Sequence, residues 1–377
     1  MANEIELKLS VSRHHIESLK QQPLLQSPQV TDQGARPLTN IYFDTPDQAL
    51  SRERVALRIR EKDGRFIQTL KTSGRAEGGL HQRKEWEWYV DEPQLDFDLL
   101  QQAEWPQTLN DPQLLAQIKP VFSTDFVRHT WLYDEVDGQG HRLLIEIALD
   151  QGQAWRGSGD ERQHDDICEL ELELMSGEPM QLYQIALELG QQIPLLSSDI
   201  SKAQRGYRLC NPGVFRVREP DLSFTAETNM EDAFCQLVQK ELGLWPQYLE
   251  AWQFTRDWQY VTRALESLRN ISGLYESFSD IIPAHPNGEL DQLLTKLIRQ
   301  LRDVDAWHRS AGLLGEHGQH WQQDAQKRAE DRMEVLLQTV GLGQISLRIG
   351  RQLVARLWRS RWTEEHEARA MQLLDQG

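Results

Sequence analysis

The sequence has little cysteine, no excess of basic residues and no long apolar run. Its three cysteines, Cys168, Cys210 and Cys235, are scattered and form no Cys-x-x-Cys pair, which argues against a zinc site and favours reduced thiols. The formal net charge of −17 argues against a surface that binds nucleic acid broadly. No segment approaches the roughly 18 apolar residues of a membrane span, and Glu4 stands where a secretory signal needs basic and apolar residues. We therefore expect a cytoplasmic protein with no nucleic-acid and no membrane partner.

The length and composition are those of a globular protein with two domains. The chain has 377 residues, of which 39% are hydrophobic and 26% charged, and this length is too great for one compact core. The hydrophobic period changes from two to about 3.6 residues near Asn211-Pro212-Gly213. We predict a first domain over 1–208, a linker over 209–224 and a helical domain over 225–377.

The first half alternates charged and aliphatic residues in several short segments. These segments are 4–9, 56–60, 69–71, 84–88, 143–147 and 168–174. Turn signals such as Asp63-Gly64 and Gly78-Gly79 separate them at the spacing of β-hairpins. Helical pieces are predicted at about 13–21, 111–118 and 180–192. The pattern predicts an α+β domain built on an antiparallel sheet or barrel.

The second half has the apolar spacing of helices. Six helices are predicted, at 225–242, 246–279, 289–310, 319–340, 345–358 and 363–374. They indicate one antiparallel bundle or a pair of smaller bundles. An arginine-rich segment near the end either grips polyphosphate or pairs with acidic neighbours, and the second interpretation is favoured. Its members are Arg348, Arg351, Arg356, Arg359 and Arg361.

The repeated charges of the first half suggest an interior that binds a ligand. One alternating strand usually marks the solvent face of a sheet. Here the alternation recurs on at least six segments, and the positions between the charges are strongly apolar. If the sheet closes, the charged set points inward, where each uncompensated charge costs several kcal/mol. We therefore expect the charges to face a charged ligand.

Two sets of side chains would line this tunnel. The basic set, which suits a phosphate chain, comprises Lys8, Arg58, Arg60, Lys71, Arg83 and Arg128. The acidic set, which suits a hard divalent cation, comprises Glu4, Glu6, Glu85, Glu87, Asp150, Glu169, Glu171 and Glu173. A tunnel that carries both sets suits a metal–polyphosphate ligand.

These residues resemble a known family. Glu4-x-Glu6-x-Lys8 resembles the ExExK signature of the CYTH superfamily, the triphosphate tunnel enzymes, and the resemblance extends to about residue 208. Further segments in the family's order are 57–60, 69–71, 83–87, 126–128, 145–150, 169–173 and 201–207. The second half resembles a CHAD domain, a helical module associated with polyphosphate, through Arg302-Asp303-Val304-Asp305. Gln259 stands where that family has a histidine.

The resemblance implies both a fold and an activity. The implied fold is a closed, eight-stranded antiparallel β-barrel with flanking helices, followed by an all-α bundle. The implied activity is hydrolysis of inorganic tripolyphosphate to pyrophosphate and phosphate with Mg²⁺ or Mn²⁺, with polyphosphate as a second ligand at the helical domain. Adenylate cyclase, thiamine or nucleoside triphosphatase activity, and polyphosphate binding without catalysis, are the alternatives.

The resemblance also implies roles for individual residues. The implied metal ligands are Glu4, Glu6, Asp150, Glu171 and Glu173, with Glu169 on the same face of its strand as an alternative. The implied substrate-binding residues are Lys8, Arg58, Arg60, Lys71, Arg83, Arg128, Lys202 and Arg205. Lys8 and Lys202 are the candidates for acting on the terminal phosphoryl group or the attacking water. Glu85, Glu87 and Glu146 are expected to line the tunnel.

Overall fold

In the computed structural model, which describes residues 2–72, 74–77, 80–214, 216–283, 288–313 and 319–374, the first half forms one antiparallel sheet of ten strands. The strands are β1 (Ala2–Val11), β2 (Val30–Asp44), β3 (Ala56–Lys62), β4 (Arg65–Lys71), β5 (Arg75–Glu77), β6 (Leu80–Val90), β7 (Lys119–Val136), β8 (Arg142–Arg156), β9 (Gln163–Ser176) and β10 (Leu195–Ser197). Their order in the sheet is β10-β1-β9-β8-β7-β2-β3-β4-β6-β5, and β1 also pairs with β6. This last pairing joins the two ends of the sheet.

The pairing of β1 with β6 closes a ring of eight strands. Residues 2–7 of β1 pair with 80–85 of β6, and residues 6–10 of β1 pair with 169–173 of β9. The two pairings overlap only at Glu6 and Leu7, so the seam is short and irregular. The short strands β10 and β5 extend the sheet beside β1 and β6. The expected eight-stranded barrel is therefore confirmed, with two added strands.

The barrel places its aliphatic side chains outside and its charges inside. Leu7, Ile147 and Leu172, on β1, β8 and β9, have no solvent exposure. They pack in one core with helices α1 (Ile16–Lys20) and α5 (Pro179–Leu189). Burying one such side chain fully contributes about 1.5–3 kcal/mol to folding. The alternating charged positions consequently face the interior.

Shorter helices cover the rest of the barrel. Three of them pack in one apolar cluster with side chains of β3, β4 and β6. They are α2 (Ala49–Arg52), α3 (Phe97–Leu100) and α4 (Pro112–Leu115). The predicted helices at 13–21 and 180–192 are confirmed, whereas the one predicted at 111–118 is only four residues long.

Helix α6 (Lys202–Cys210) packs directly against the barrel strands β7, β8 and β9. Ser201 caps its first turn by accepting a hydrogen bond from the backbone N–H of Gln204. Gly206 lies against the Phe122 ring so closely that a Cβ would come within 2.0 Å of it. A glycine here allows α6 to bring Lys202 to the charged interior.

The described part of the second half contains six helices. They are α7 (Met230–Thr255), α8 (Gln259–Ser277), α9 (Glu289–Leu313), α10 (Gln319–Leu337), α11 (Val340–Ala355) and α12 (Glu364–Ala370). Their core includes Phe234, Trp245, Trp252 and Leu301, none of which is exposed to solvent. The all-α second half is confirmed, while the limits of the two domains stay a prediction. No helix in the described parts of the chain combines the length and apolarity that crossing a membrane requires.

One predicted helix break is wrong, and another is displaced by a few residues. The chain does not break near Pro246, which lies inside α7. Proline removes one backbone donor from a helix, but the buried faces of Trp245 and Trp252 hold this helix together across it. The chain turns instead at Arg256, which has a φ of 58°. The break expected at 341–343 is displaced: α10 ends at Leu337 and α11 begins at Val340, so 341–343 lies in the first turn of α11.

The arginine-rich segment pairs with acidic neighbours. Arg356 Nη1 and Arg359 Nη2 each lie 2.5 Å from Oε2 of the fully buried Glu231. Arg348 Nη1 lies 2.9 Å from Glu289 Oε2, and Arg361 donates a hydrogen bond to the carbonyl of Pro283. This geometry favours a structural role for these arginines.

Candidate functional site

One group of inward carboxylates is neutralised by cations. Asp150, Glu169 and Glu171 offer oxygen atoms that all lie within 4.8 Å of one another. The Lys202 ammonium group of α6 contacts all three, at 2.6 Å from Asp150 Oδ2 and 2.9 Å from Glu171 Oε1. The Phe126 ring lies beneath it, 5.0 Å from Nζ to the ring centroid. Lys202 is thus held at the centre of the three carboxylates.

Two further cations complete this group. Lys8 Nζ lies 2.9 Å from Glu171 Oε1, and Arg128 Nη2 lies 2.7 Å from Asp150 Oδ2 and 2.5 Å from Glu171 Oε2. Burial alone would raise the pKa of the Glu171 carboxyl, but Lys202, Lys8 and Arg128 lower it well below its usual range. Three carboxylates therefore face three cations, and the group is close to neutral. The three carboxylates, Asp150, Glu169 and Glu171, are called the paired triad below.

A second group of carboxylates surrounds Glu173 of β9. Glu6 of β1 and Glu146 of β8 both lie directly opposite Glu173 of β9, and Glu4 lies two residues from Glu6 on the same face. Burial, followed by the charges of Glu4, Glu146 and Glu6, raises the pKa of Glu173 to about 7. Lys71 Nζ lies 3.0 Å from Glu4 Oε2, and Lys8 Nζ lies 3.9 Å from Glu6 Oε1. We call these four carboxylates the acidic quartet: Glu4, Glu6, Glu146 and Glu173.

A cluster of arginines occupies another wall of the barrel. Arg58 and Arg60 lie on β3, and Arg60 Nε donates to the amide oxygen of Asn40 at 2.9 Å. Burial, together with the charges of Arg58 and Arg128, lowers the pKa of Arg60 to about 10. Arg58 is also buried and has Glu85 Oε1 at 3.5 Å. At Arg58, burial lowers the pKa but Tyr42 and Glu85 raise it by more, so the charge that the neighbours do not fully offset is that of Arg60.

Strand β2 contributes site residues that the sequence did not reveal. Asn40 has no solvent exposure, and its Nδ2 donates to Thr124 Oγ1 at 3.0 Å, which fixes the amide oxygen toward Arg60. Tyr42 is buried as well. Burial raises the pKa of Tyr42, but Arg58, Lys202 and Arg60 lower it by more, so the net shift is downward. Both side chains are neutral, so no alternation of charges marks them in the sequence.

The remaining predicted residues fall in several places. Lys71 Nζ lies 2.9 Å from Glu85 Oε2, while Glu87 is exposed and accepts a hydrogen bond from Thr69 Oγ1. The backbone of Arg83 pairs opposite Glu4, but its side chain lies outside the described residues. Arg205 is buried against Glu250 of α7, with 2.6 Å between Nη1 and Oε1.

The two carboxylate groups differ in their fitness for a metal ion. Both offer the oxygen ligands that hard divalent cations prefer. A cation at the paired triad would have to displace Lys202, whereas at the acidic quartet it would compete with the proton that the raised pKa of Glu173 favours. The six predicted metal ligands are thus divided: Glu4, Glu6 and Glu173 lie in the quartet, and Asp150, Glu169 and Glu171 form the triad.

A β-barrel whose interior carries both carboxylates and cations is the fold of one known protein family. The CYTH domain family matches residues 2–207, and the chain belongs to this family. The chain is 32% identical over 209 residues to the inorganic triphosphatase of Haemophilus influenzae, and the match covers 55% of this chain and 55% of that protein. The chain thus matches about half the length of this relative.

Two solved structures resemble the first half. One is a candidate adenylyl cyclase from Hippeastrum with a dominant triphosphatase activity, at 22% identity and a TM-score of 0.38, covering 54% of this chain and 95% of that one. The other is an inorganic triphosphatase at 16% identity and a TM-score of 0.20, with the same two coverages. The resemblance of the second half to a CHAD domain stays a prediction.

Proposed function

We propose that the barrel hydrolyses inorganic tripolyphosphate to pyrophosphate and phosphate with the help of Mg²⁺ or Mn²⁺. Two opposite pKa shifts carry the proposal. Burial and the neighbouring carboxylates raise the pKa of Glu173 to about 7, and burial and the neighbouring guanidinium groups lower the pKa of Arg60 to about 10. A ligand charge of the opposite sign would favour the ionised form of each group. A metal–polyphosphate supplies both charges in one molecule.

The acidic quartet is the proposed metal site. Glu4, Glu6 and Glu173 would hold the cation, and Glu146 lies beside Glu173. When bound, the metal neutralises phosphate oxygens and makes water a stronger nucleophile. The paired triad instead holds the cations of the site in place, because its members already contact Lys8, Arg128 and Lys202.

The basic side chains are proposed to bind and orient the phosphate chain. Arg58, Arg60 and Arg128 can offer paired N–H donors to phosphoryl oxygens, with Lys71 and Arg83 as further donors. Lys8 and Lys202 are proposed to orient the terminal phosphoryl group and the attacking water. The water oxygen then forms a bond to the terminal phosphorus while the bond from phosphorus to the bridging oxygen breaks. Pyrophosphate leaves with that electron pair, and the proton from water passes to solvent.

Family membership and the named relative support a triphosphate as the substrate. The protein that shares 32% identity is an inorganic triphosphatase. A free tripolyphosphate needs only the charged interior, whereas an organic triphosphate also needs contacts for its organic group. A cytoplasmic location and polyphosphate binding by the helical half stay predictions.

The test is a product assay on the full chain. Tripolyphosphate, ATP and thiamine triphosphate are each incubated with Mg²⁺, Mn²⁺ or EDTA, and phosphate, pyrophosphate and cyclic AMP are measured. We expect equal amounts of phosphate and pyrophosphate from tripolyphosphate, and none in EDTA. Hydrolysis confined to ATP or thiamine triphosphate, formation of cyclic AMP, or tight binding of tripolyphosphate without turnover would each replace the proposal with one of its alternatives.

A further inference from the structure

Helix α6 connects the charged interior of the barrel with the helical half of the chain. Its residues Lys202, Arg205 and Arg208 are spaced three apart and all are buried. Lys202 contacts the paired triad, whereas Arg205 and Arg208 both reach Glu250 of α7. One short helix therefore carries cations that face both halves of the protein.

Glu250, whose side chain is 13% exposed, is an acceptor for these arginines. Its Oε1 lies 2.6 Å from Arg205 Nη1 and 3.7 Å from Arg208 Nη2, and its Oε2 accepts a hydrogen bond from Ser198 Oγ at 3.3 Å. Phe254, one turn further along α7, lies under the Arg208 guanidinium at 4.3 Å. Two residues of α7 thus fix the outer side of α6.

Arg205 lies among three carboxylates, Glu250, Glu169 and Asp165, of which Asp165 is the most distant, at 3.9 Å from Nη1 to Oδ1. Its Nη1 is close to Glu250, while its Nε lies 3.7 Å from Glu169 Oε2, a member of the paired triad. Burial lowers the pKa of Arg205, but Glu250 raises it most among the carboxylates, ahead of Glu169. Without the Glu250 charge, the nearest acidic partner of this buried guanidinium is Glu169.

Movement of Arg205 onto Glu169 would disturb the proposed site. Glu169 Oε1 contacts the Lys202 ammonium group, and it also lies 3.6 Å from Lys8 Nζ. Glu169 Oε2, the oxygen nearer Arg205, has no hydrogen-bond partner among the described residues and can accept the guanidinium. A guanidinium bound there adds positive charge beside Lys202 and Lys8, and so weakens the attraction of Glu169 for both lysines. The two amines assigned to the terminal phosphoryl group would then lose part of their alignment.

We propose that Glu250 is a positioning residue for the barrel site: it holds Arg205 away from Glu169 and so keeps Lys202 and Lys8 in place. This inference rests on the proposed function for its effect on turnover. It gives the helical half an indirect part in the barrel site, through one carboxylate that positions Arg205. The effect on geometry is independent of the substrate.

The first test compares Glu250→Gln with Glu250→Asp and with Glu241→Gln. Glu241 lies on the same helix but bonds Ser267 and Asn270 of α8, so Glu241→Gln is the same chemical change away from α6. We expect Glu250→Gln to lower kcat for tripolyphosphate about tenfold, as changes to residues behind a site typically do, while KM changes less than about threefold. Glu250→Asp keeps the charge and should retain most of kcat, and Glu241→Gln should retain all of it.

A double-mutant cycle separates positioning from general destabilisation. If Glu250 acts by restraining Arg205, the effect of Glu250→Gln on kcat should largely disappear in an Arg205→Met background. Equal effects in both backgrounds, or equal losses of kcat in Glu250→Gln and Glu241→Gln, would overturn the proposal.

A structural measurement keeps the inference separate from the proposed activity. The crystal structure of Glu250→Gln should show the Arg205 guanidinium moved onto Glu169. If the wild-type chain hydrolyses no triphosphate, the proposed function fails, but this structure still decides whether Glu250 controls Arg205. Should Glu250→Gln fail to fold, the Glu250→Asp structure and kinetics take its place, and an unmoved Arg205 with altered kcat would contradict the proposal.

Discussion

Gly343 of α11 and Leu195 of β10 approach so closely that a Cβ on the glycine would lie 1.9 Å from the leucine carbonyl oxygen. On the same helix, Ser346 Oγ bonds Ser197 Oγ at 2.7 Å, and Gly350 lies against the Tyr183 ring. Leu347 belongs to the core that covers the barrel strands. The two halves of the chain therefore share one packed interface.

Gly343→Ala should destabilise the protein by about 1–3 kcal/mol, because the new methyl group overlaps a backbone atom that cannot move alone. Gly341→Ala, two residues earlier on α11, is the matched control, since its Cβ would meet nothing within 4 Å. The control should be neutral or more stable by up to about 1 kcal/mol, because alanine favours a helix. Urea unfolding followed by circular dichroism measures both, and equal stabilities would contradict the close approach.

Glu6→Ala and Arg60→Ala should each abolish turnover without changing the circular dichroism spectrum. Glu6 belongs to the proposed metal site and Arg60 to the proposed phosphate site, so either loss leaves one charge of the ligand unmatched. We expect kcat/KM to fall by about 100-fold or more. Arg142→Ala removes an exposed arginine that pairs with Asp134 and serves as the control. Activity like that of the wild type in either variant would argue against the site.

Glu173 should make metal-free stability depend on pH. Its pKa is about 7 in the folded chain and 4.5 in the reference state, so the folded state binds more protons between these values. The free energy of unfolding therefore falls as pH rises from 4.5 to about 7. Because a metal competes with that proton, Mg²⁺ should raise Tm more at about pH 8 than at about pH 5.5.

Glu173→Gln provides the control for this dependence. Without an ionisable group at this position, metal-free Tm should fall less between the two pH values, and the Mg²⁺-induced increase should shrink. Thermal unfolding of both proteins with Mg²⁺ or EDTA gives the comparison. An identical pH dependence in both proteins would show that Glu173 is not the group responsible.

Lys202→Met should destabilise the chain by about 3–5 kcal/mol near neutral pH, because it leaves buried carboxylates without their shared cation. Their pKa values should then rise, so the loss of stability should be smaller at about pH 5 than at about pH 8. Urea unfolding at both pH values measures this difference. Adding Glu169→Gln should restore part of the stability at pH 8, and a double variant no more stable than Lys202→Met would contradict the pairing.

The sequence predicted those parts of the barrel whose charges repeat. The alternations on β1, β3, β8 and β9 identified an inward charged face, since the opposite face of each strand is aliphatic. Strand β2 was not predicted, because Gly34 and Pro37 interrupt it and its inward residues Asn40 and Tyr42 are neutral. Alternation reports which face a residue occupies, and a neutral side chain gives no such signal.

The sequence does not predict which charged side chains form ion pairs with one another. Nothing in the spacing of Lys202 shows that it contacts three carboxylates, because they come from two other strands. Arg205 was expected at the substrate, but its closest acidic partner is Glu250, 45 positions away in the other half of the chain. Pairings of this kind depend on how helices pack on the barrel, which local periodicity does not specify.

The position of Lys202 has a practical consequence for handling the protein. The Lys202 ammonium group, together with Lys8 and Arg128, offsets the three carboxylates of the paired triad, so this part of the interior is charge-balanced without a ligand. Dialysis against a chelator should then yield a folded, storable protein that regains its full function when the ion is returned. The lysine and arginine side chains of the interior serve as the counter-ions of its carboxylates.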